Sequence, residues 1–319
     1  MNSDAQIKSM VDSYRVRLAT GTKAPTMEQQ KRMHVVNAAC WQAALLLSGR
    51  RDPLTTSQAK LGKAGETWRN TGLTMSSADE AAQMLNLSKW RTMCAWATAS
   101  CIAACVGSRT GHGVLHSSLI ARLGRTICYL LYRQEFLQLL TDRVLRLVNT
   151  CQRAGDKLAF RTNIATDLAA FAAQLADNVR QFGWTEEAGM YFYDYSASFD
   201  VVMRRKDGVR RALSYKGPEG TVSVEHLKRA LAAGHAVAIV GAGKRPETLL
   251  GYPTIDGDLD DLWFLRGPKD GGGFVVWLKL KGDRAQKHQA LESGFAVVPG
   301  ETWVEHHESG EVRHTLIAA

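Results

Sequence analysis

Gly234-His235-Ala236-Val237-Ala238-Ile239-Val240-Gly241-Ala242-Gly243 is the stretch from which the fold is read. The apolar run after His235 is too short for a helix and is bounded by glycines, which predicts a buried strand. Upstream, Ser223 to Ala233 has helical spacing, and Gly234 is its natural C-terminal stop. A histidine heading a buried strand is either a packed structural residue or a placed general base. A buried imidazole needs hydrogen-bond partners and gives up its charge readily.

Outward from this strand, the apolar period changes near Gly183. Before it the patterns are nearly all helical. Ile7, Met10, Val11, Tyr14 and Leu18 share one face, and Thr26 with Gln29 forms a capping box that starts a helix running towards Leu47. Ser77 with Glu80 starts a short helix, Trp90 to Val106 reads as an apolar one, Leu115 to Val148 as a long one, and Leu158 to Phe182 as the last. Beyond Gly183, Tyr191 to Met203 reads as a strand turning at Lys206-Asp207-Gly208 into a second strand, Val209 to Tyr215. Phe274 to Leu280 alternates as a half-buried strand, and Trp303 to His306 with Val312 to Ile317 makes a closing hairpin. The expected fold class is α+β, a helical region over 1–183 followed by an antiparallel β-rich region over 184–319 with a short helix.

Composition narrows the function classes. The 319 residues carry a formal charge of +9 and a pI near 9.3, which fits a solvated basic surface and permits contact with nucleic acid. The six cysteines, Cys40, Cys94, Cys101, Cys105, Cys128 and Cys151, form no CxxC pair, and no metal or cofactor is expected from their spacing. Cys101 and Cys105 lie one helical turn apart. Reduced thiols, no signal-peptide pattern and no membrane-length apolar run predict a soluble, intracellular protein.

A cysteine nucleophile needs a base and a group that orients the base. Cys40, in Asn37-Ala38-Ala39-Cys40-Trp41-Gln42-Ala43-Ala44, is the candidate nucleophile, and His235 the candidate base. Asp258, or its neighbours Asp256 and Asp260, supplies the orienting carboxylate. Together, Cys40-Trp41, the Gly234-His235 strand and Leu262-Trp263-Phe264-Leu265-Arg266 with Gly271-Gly272-Gly273-Phe274 resemble the papain-like cysteine peptidases in chain order. Gly267 stands where that family has its asparagine, and His34 where it has its glutamine. The resemblance implies a thiol hydrolase that cleaves a peptide or isopeptide bond through a thioester, with the Trp90–Phe182 helices as an insertion, and a polypeptide as substrate or partner. It is equally compatible with an inactive relative. The alternative is a non-enzymatic basic protein that binds nucleic acid or a protein partner through Arg204, Arg205, Lys206, Arg210 and Arg211, with Tyr191, Tyr193 and Tyr195 beside them. Neither reading specifies an oligomeric state.

Overall fold

The computed structural model describes residues 4–55, 67–87, 93–105, 115–204, 207–259, 261–300, 302–307 and 310–315. Three helices come first: α1 (Asp4–Ala19), α2 (Met27–Lys31) and α3 (Val35–Leu47). The capping box expected at Thr26 and Gln29 starts α2, but the helix expected to run on towards Leu47 is interrupted at Arg32–His34 and α3 begins anew. After α3 come β1 (Trp68–Gly72), α4 (Ala78–Met84), α5 (Ala99–Ala103), α6 (His116–Leu131), α7 (Arg133–Arg153) and β2 (Lys157–Arg161). The chain continues through α8 (Ala169–Arg180), β3 (Met190–Ser196), α9 (Phe199–Met203), β4 (Val209–Ser214), α10 (Val224–Ala232) and β5 (Ala236–Gly241). It ends with β6 (Thr248–Leu249), β7 (Tyr252–Asp256), a single 3-10 turn at Trp263–Leu265, β8 (Phe274–Lys279), α11 (Arg284–Glu292) and the hairpin β9 (Thr302–His307) with β10 (Gly310–Thr315).

The class is α+β, with helices mainly in the first half and strands mainly in the second. The strand pairing differs from the expectation. Eight strands form one sheet in the order β1-β2-β3-β4-β5-β8-β7-β6. All neighbours pair parallel except β6 and β7. Parallel neighbours need a crossover between them, and α8, α9 and α10 supply it in turn. The expected hairpin at Lys206–Gly208 is therefore replaced by a crossover. Ser198 accepts the Val201 amide hydrogen bond and caps α9, whose Phe199, Val202 and Met203 have helical spacing. Lys206 itself lies outside the described residues.

Two strands were hidden in the helical half. Lys157–Arg161 is buried along most of its length, and a continuous apolar run is how a strand covered on both faces reads. It pairs with β3 through Leu158↔Met190 to Arg161↔Tyr193, so the sheet crosses the composition boundary at Gly183. The long helix expected from Leu115 breaks at Tyr132 (φ −134°, ψ 39°) into α6 and α7.

Side chains alternate across the sheet. Leu158, Phe160 and Phe192 face the main core with α1, α3, α6, α7 and α8. Ala159, Tyr193, Ala212, Ala236 and Ala238 face the other side, under Leu262 and Trp263. There Arg161 Nη1 donates to Asp261 Oδ2 at 2.7 Å, so one aspartate of the acidic turn closes the Trp263 segment onto β2. No helix among the described residues is long and apolar enough to cross a membrane.

Candidate active site at the carboxyl edge of the sheet

The residues singled out in the sequence do not converge. Cys40 is fully buried in the middle of α3, a helix that continues through Asn37. Burial pushes its thiol up to about 12, which leaves no thiolate at neutral pH. The charged form it would take also raises the nearby Tyr14 phenol, which burial has already lifted.

His235 completes the C-terminal cap of α10. Gly234 has φ +77°, its amide donates to Leu231 O, and the His235 amide donates to Ala230 O, both at 2.9 Å. This is a Schellman motif, which leaves His235 at the amino end of β5. Asp258 sits at the other end. Its Oδ2 accepts the Lys279 amide at 2.6 Å and its Oδ1 the Lys281 ammonium at 2.7 Å. Lys279 pairs with Gly241 while Phe274 pairs with Ala236. The backbones of Asp258 and His235 are thus separated by the length of β5, roughly 16 Å at about 3.3 Å per residue. Asp256 Oδ1 is occupied by the Asp258 amide, and Asp260 lies outside the described residues.

Two members of the basic cluster, Arg210 and Arg211, are paired within the fold. Arg210 makes a two-armed pair with Glu186 at 2.7 and 2.5 Å. Arg211 is buried and paired with Asp207 at 2.6 Å. Arg204 is exposed at the end of α9, and Arg205 lies outside the described residues, as does Lys206. Tyr193 is fully buried, while Tyr191 stacks on Phe264 beneath the Arg210 guanidinium.

The sequence reading missed the polar residues gathered beyond the carboxyl ends of β2, β3 and β4. In open parallel sheets this edge is where loops from successive strands converge and ligands bind. Asp194, near the end of β3, is buried, and its Oδ2 accepts from Thr162 Oγ1 at 2.7 Å and from Asn163 Nδ2. Its Oδ1 accepts the Tyr195 amide at 2.8 Å. Burial outweighs these bonds and pushes its carboxyl up to about 7. A carboxyl raised on folding stabilises the native state fully below its unfolded value, near 3.8, and that contribution is lost as pH rises towards about 7. Asp194→Asn is therefore expected to flatten the decline in stability between about pH 4 and 7, read as urea midpoints across pH. An unchanged slope would remove Asp194 as its source.

Asp167, in the loop after β2, accepts from the Ala197 amide at 2.8 Å and from Ser196 Oγ at 3.2 Å. Burial raises its carboxyl, and those donors and Lys216 offset part of the rise. Cys94 forms a backbone bridge to Asp167, and its Sγ donates to Ala165 O at 3.7 Å. Thr98 caps α5 by accepting the Cys101 amide at 3.0 Å and donates to Lys216 O at 3.0 Å, which ties the thiol-bearing helix to the segment after β4.

Lys216 is the centre of this group. Burial works against its ammonium, yet Cys101 first, then Asp167, Cys94 and Cys105, outweigh that cost and raise its proton affinity. The ammonium has no hydrogen-bond or ion-pair partner among the described residues. Burial raises the Cys101 thiol, and Lys216 is the strongest influence pulling it down. Burial pushes the Cys94 thiol up to about 12. By their chemistry Cys94, Cys101 and Cys105 suit a thiophilic metal. No three His, Cys, Asp or Glu side chains among the described residues stand close enough together to hold one.

Fold and site together define an α+β protein with a parallel sheet and a cationic, thiol-rich cluster at its carboxyl edge. The chain belongs to the gene product 88 (GP88) family, whose model matches residues 45–297. The matched segment contains the whole eight-stranded sheet and the thiol cluster, and it begins after Cys40. No curated protein and no solved structure matches the chain.

Proposed function

We propose that the protein is a thiol-dependent hydrolase whose reaction centre is the cluster at the carboxyl edge of the sheet. One observation carries this reading: the half-buried Lys216 ammonium, with no ion-pair partner among the described residues, feels the charge of Asp167 and of any thiolate at Cys101, Cys94 or Cys105, and its backbone is tied through Thr98 to the helix that carries Cys101. Such a cation favours a thiolate and then an oxyanion. Cys101 is the nucleophile, because it is the thiol that Lys216 acts on most. Its proton passes to the Asp167 carboxylate, and Sγ attacks the carbonyl carbon of a peptide or isopeptide substrate. The oxyanion so formed faces Lys216. Collapse breaks the bond to the leaving amine, which takes the proton from Asp167, and water hydrolyses the thioester to regenerate the thiol.

Labelling of each cysteine with iodoacetamide between pH 6 and 9, read by mass spectrometry, tests the assignment. Lys216→Met is expected to slow Cys101 about tenfold at pH 7, a change worth about one pKa unit. Cys40 and Cys128, both fully buried, are expected to stay unlabelled until the chain is unfolded. A Cys101 labelling rate that is the same in the wild type and in Lys216→Met would overturn the reading.

A further inference from the structure

A second charged site lies away from the sheet edge. The loop after α3 and the outer side of α7 enclose a cleft of about 270 Å³, lined by Arg50, Arg51, Asp52, Leu139, Arg143 and Arg146. Four arginines face one aspartate, so the cleft holds a surplus of positive charge that nothing within it neutralises. Asp52 is already committed. Its Oδ2 accepts both Nε and Nη2 of Arg143, at 2.9 and 2.7 Å, and its Oδ1 accepts the Leu54 amide at 2.9 Å.

The other guanidiniums keep most of their donors. Arg50 donates from Nη2 to Leu18 O at 2.8 Å, and Arg51 from Nη1 to Gln42 Oε1 at 2.5 Å. Arg146 is exposed, and its side chain has no hydrogen-bond or ion-pair partner among the described residues. From behind, Arg125 donates to Pro53 O at 2.6 Å and to Leu54 O at 3.4 Å, which pins the loop to α6. The guanidiniums are therefore presented by a braced backbone. Burial, and next the charge of Arg51, lower the Arg125 guanidinium to about 10; burial lowers Arg51 as well. An anion in the cleft would relieve this crowding of like charge.

We infer that this cleft binds a phosphate group, with Arg50, Arg143 and Arg146 donating to its oxygens. Arg143 and Arg146 stand three residues apart on α7, the spacing that puts two side chains on one helical face. A carboxylate needs a single arginine fork, and Asp52 already fills that role for Arg143. Several forks around one point match the three or four oxygens of a phosphate. The same chemistry serves a small phosphorylated ligand and a nucleic-acid backbone. The inference rests on the cleft alone and is independent of the thiol centre.

The test uses the full chain at fixed ionic strength. Inorganic phosphate and a short single-stranded oligonucleotide are titrated separately by calorimetry, with chloride as reference. Arg146→Gln and Arg50→Gln are expected to weaken binding about tenfold each, the loss of one charge-assisted hydrogen bond. Arg153→Gln, on the same helix but outside the cleft, is expected to leave it unchanged. Because Arg146 has no partner, its variant is expected to keep the wild-type thermal midpoint, so lost binding cannot be ascribed to unfolding. Binding of phosphate alone would identify a small ligand. Binding of the oligonucleotide, dependent on Arg146 and falling steeply with salt, would identify a nucleic acid. Phosphate bound no better than chloride, together with oligonucleotide binding indifferent to Arg146→Gln, would overturn the inference.

Discussion

Replacing Arg122 with methionine is expected to destabilise the fold by about 3–5 kcal/mol, the cost of leaving one partner of a buried ion pair uncompensated. Arg122 on α6 donates to Glu80 on α4 through Nε at 3.0 Å and Nη2 at 2.5 Å, and both side chains are almost fully buried. The pair is the polar anchor of α4. Beside it the Ser76 amide donates to Thr126 Oγ1 at 2.9 Å, and Thr126 Oγ1 returns a bond to Arg122 O at 3.0 Å. The double variant Arg122→Met, Glu80→Leu is expected to recover most of the loss, because apolar replacement of both partners removes the stranded charge. Urea midpoints at unchanged m-value measure both effects. A loss below about 1 kcal/mol for Arg122→Met would mean that the pair is solvated in a way its burial does not suggest.

The second large effect is expected at Gly124, where α6 crosses α3. A Cβ there would lie 2.5 Å from Gln42 Cβ and 3.2 Å from both Ala39 O and Ala43 N. Two of the three obstacles are backbone atoms and cannot turn away. Gly124→Ala gains about 1 kcal/mol of helix propensity but forces the helices apart, for a net loss of about 1–2 kcal/mol. Gly124→Leu is expected to cost about 3 kcal/mol or more. Separation of the helices has its own readout. Cys40 and Cys128, silent in the wild type, are expected to become reactive under native conditions in Gly124→Leu. Continued silence at full stability would show that the crossing tolerates the extra volume.

That crossing also explains the stretch that drew attention to Cys40. Ala38, Ala39, Cys40, Ala43 and Ala44 are all buried in α3, and their small size lets α6 approach at Gly124. A cysteine among alanines before an aromatic reads as a nucleophile motif or as helix packing. Only the neighbouring helix separates the two. His235 is similar: the local pattern Gly-His before an apolar strand has the form of a catalytic strand, and it is also what a Schellman cap produces.

Local signals in this chain were decisive wherever the interaction spans a few residues. Thr26, Ser77 and Ser223 cap helices as their side chains dictate, Gly234 ends α10, and the apolar run after His235 is a strand. The closing hairpin was legible too, since its two strands are neighbours in the chain. By contrast, β1 and β2 lie in the helical half, and they are strands because β2 pairs with β3 and β1 with β2. Whether β3 and β4 run parallel or antiparallel turns on five residues, Phe199–Met203, folding into a crossover helix.

The site depended on that same decision. Cys101 and Cys105 were visible as a pair one turn apart, but Lys216 stood unnoticed after a strand read as one arm of a hairpin. Once the strands are parallel, the residues just past their carboxyl ends share one edge, and Asp167, Asp194 and Lys216 come together from segments far apart in sequence. Capped helix starts at Thr26, Ser77 and Ser223, the glycine stop at Gly234, the buried strand at Ala236–Gly241 and the α+β class were legible in the chain, because caps, glycine stops and apolar periods act over a single turn or strand. Strand direction, the burial of Cys40 and the charges around Lys216 emerge with packing, because each depends on which distant segments meet in one place.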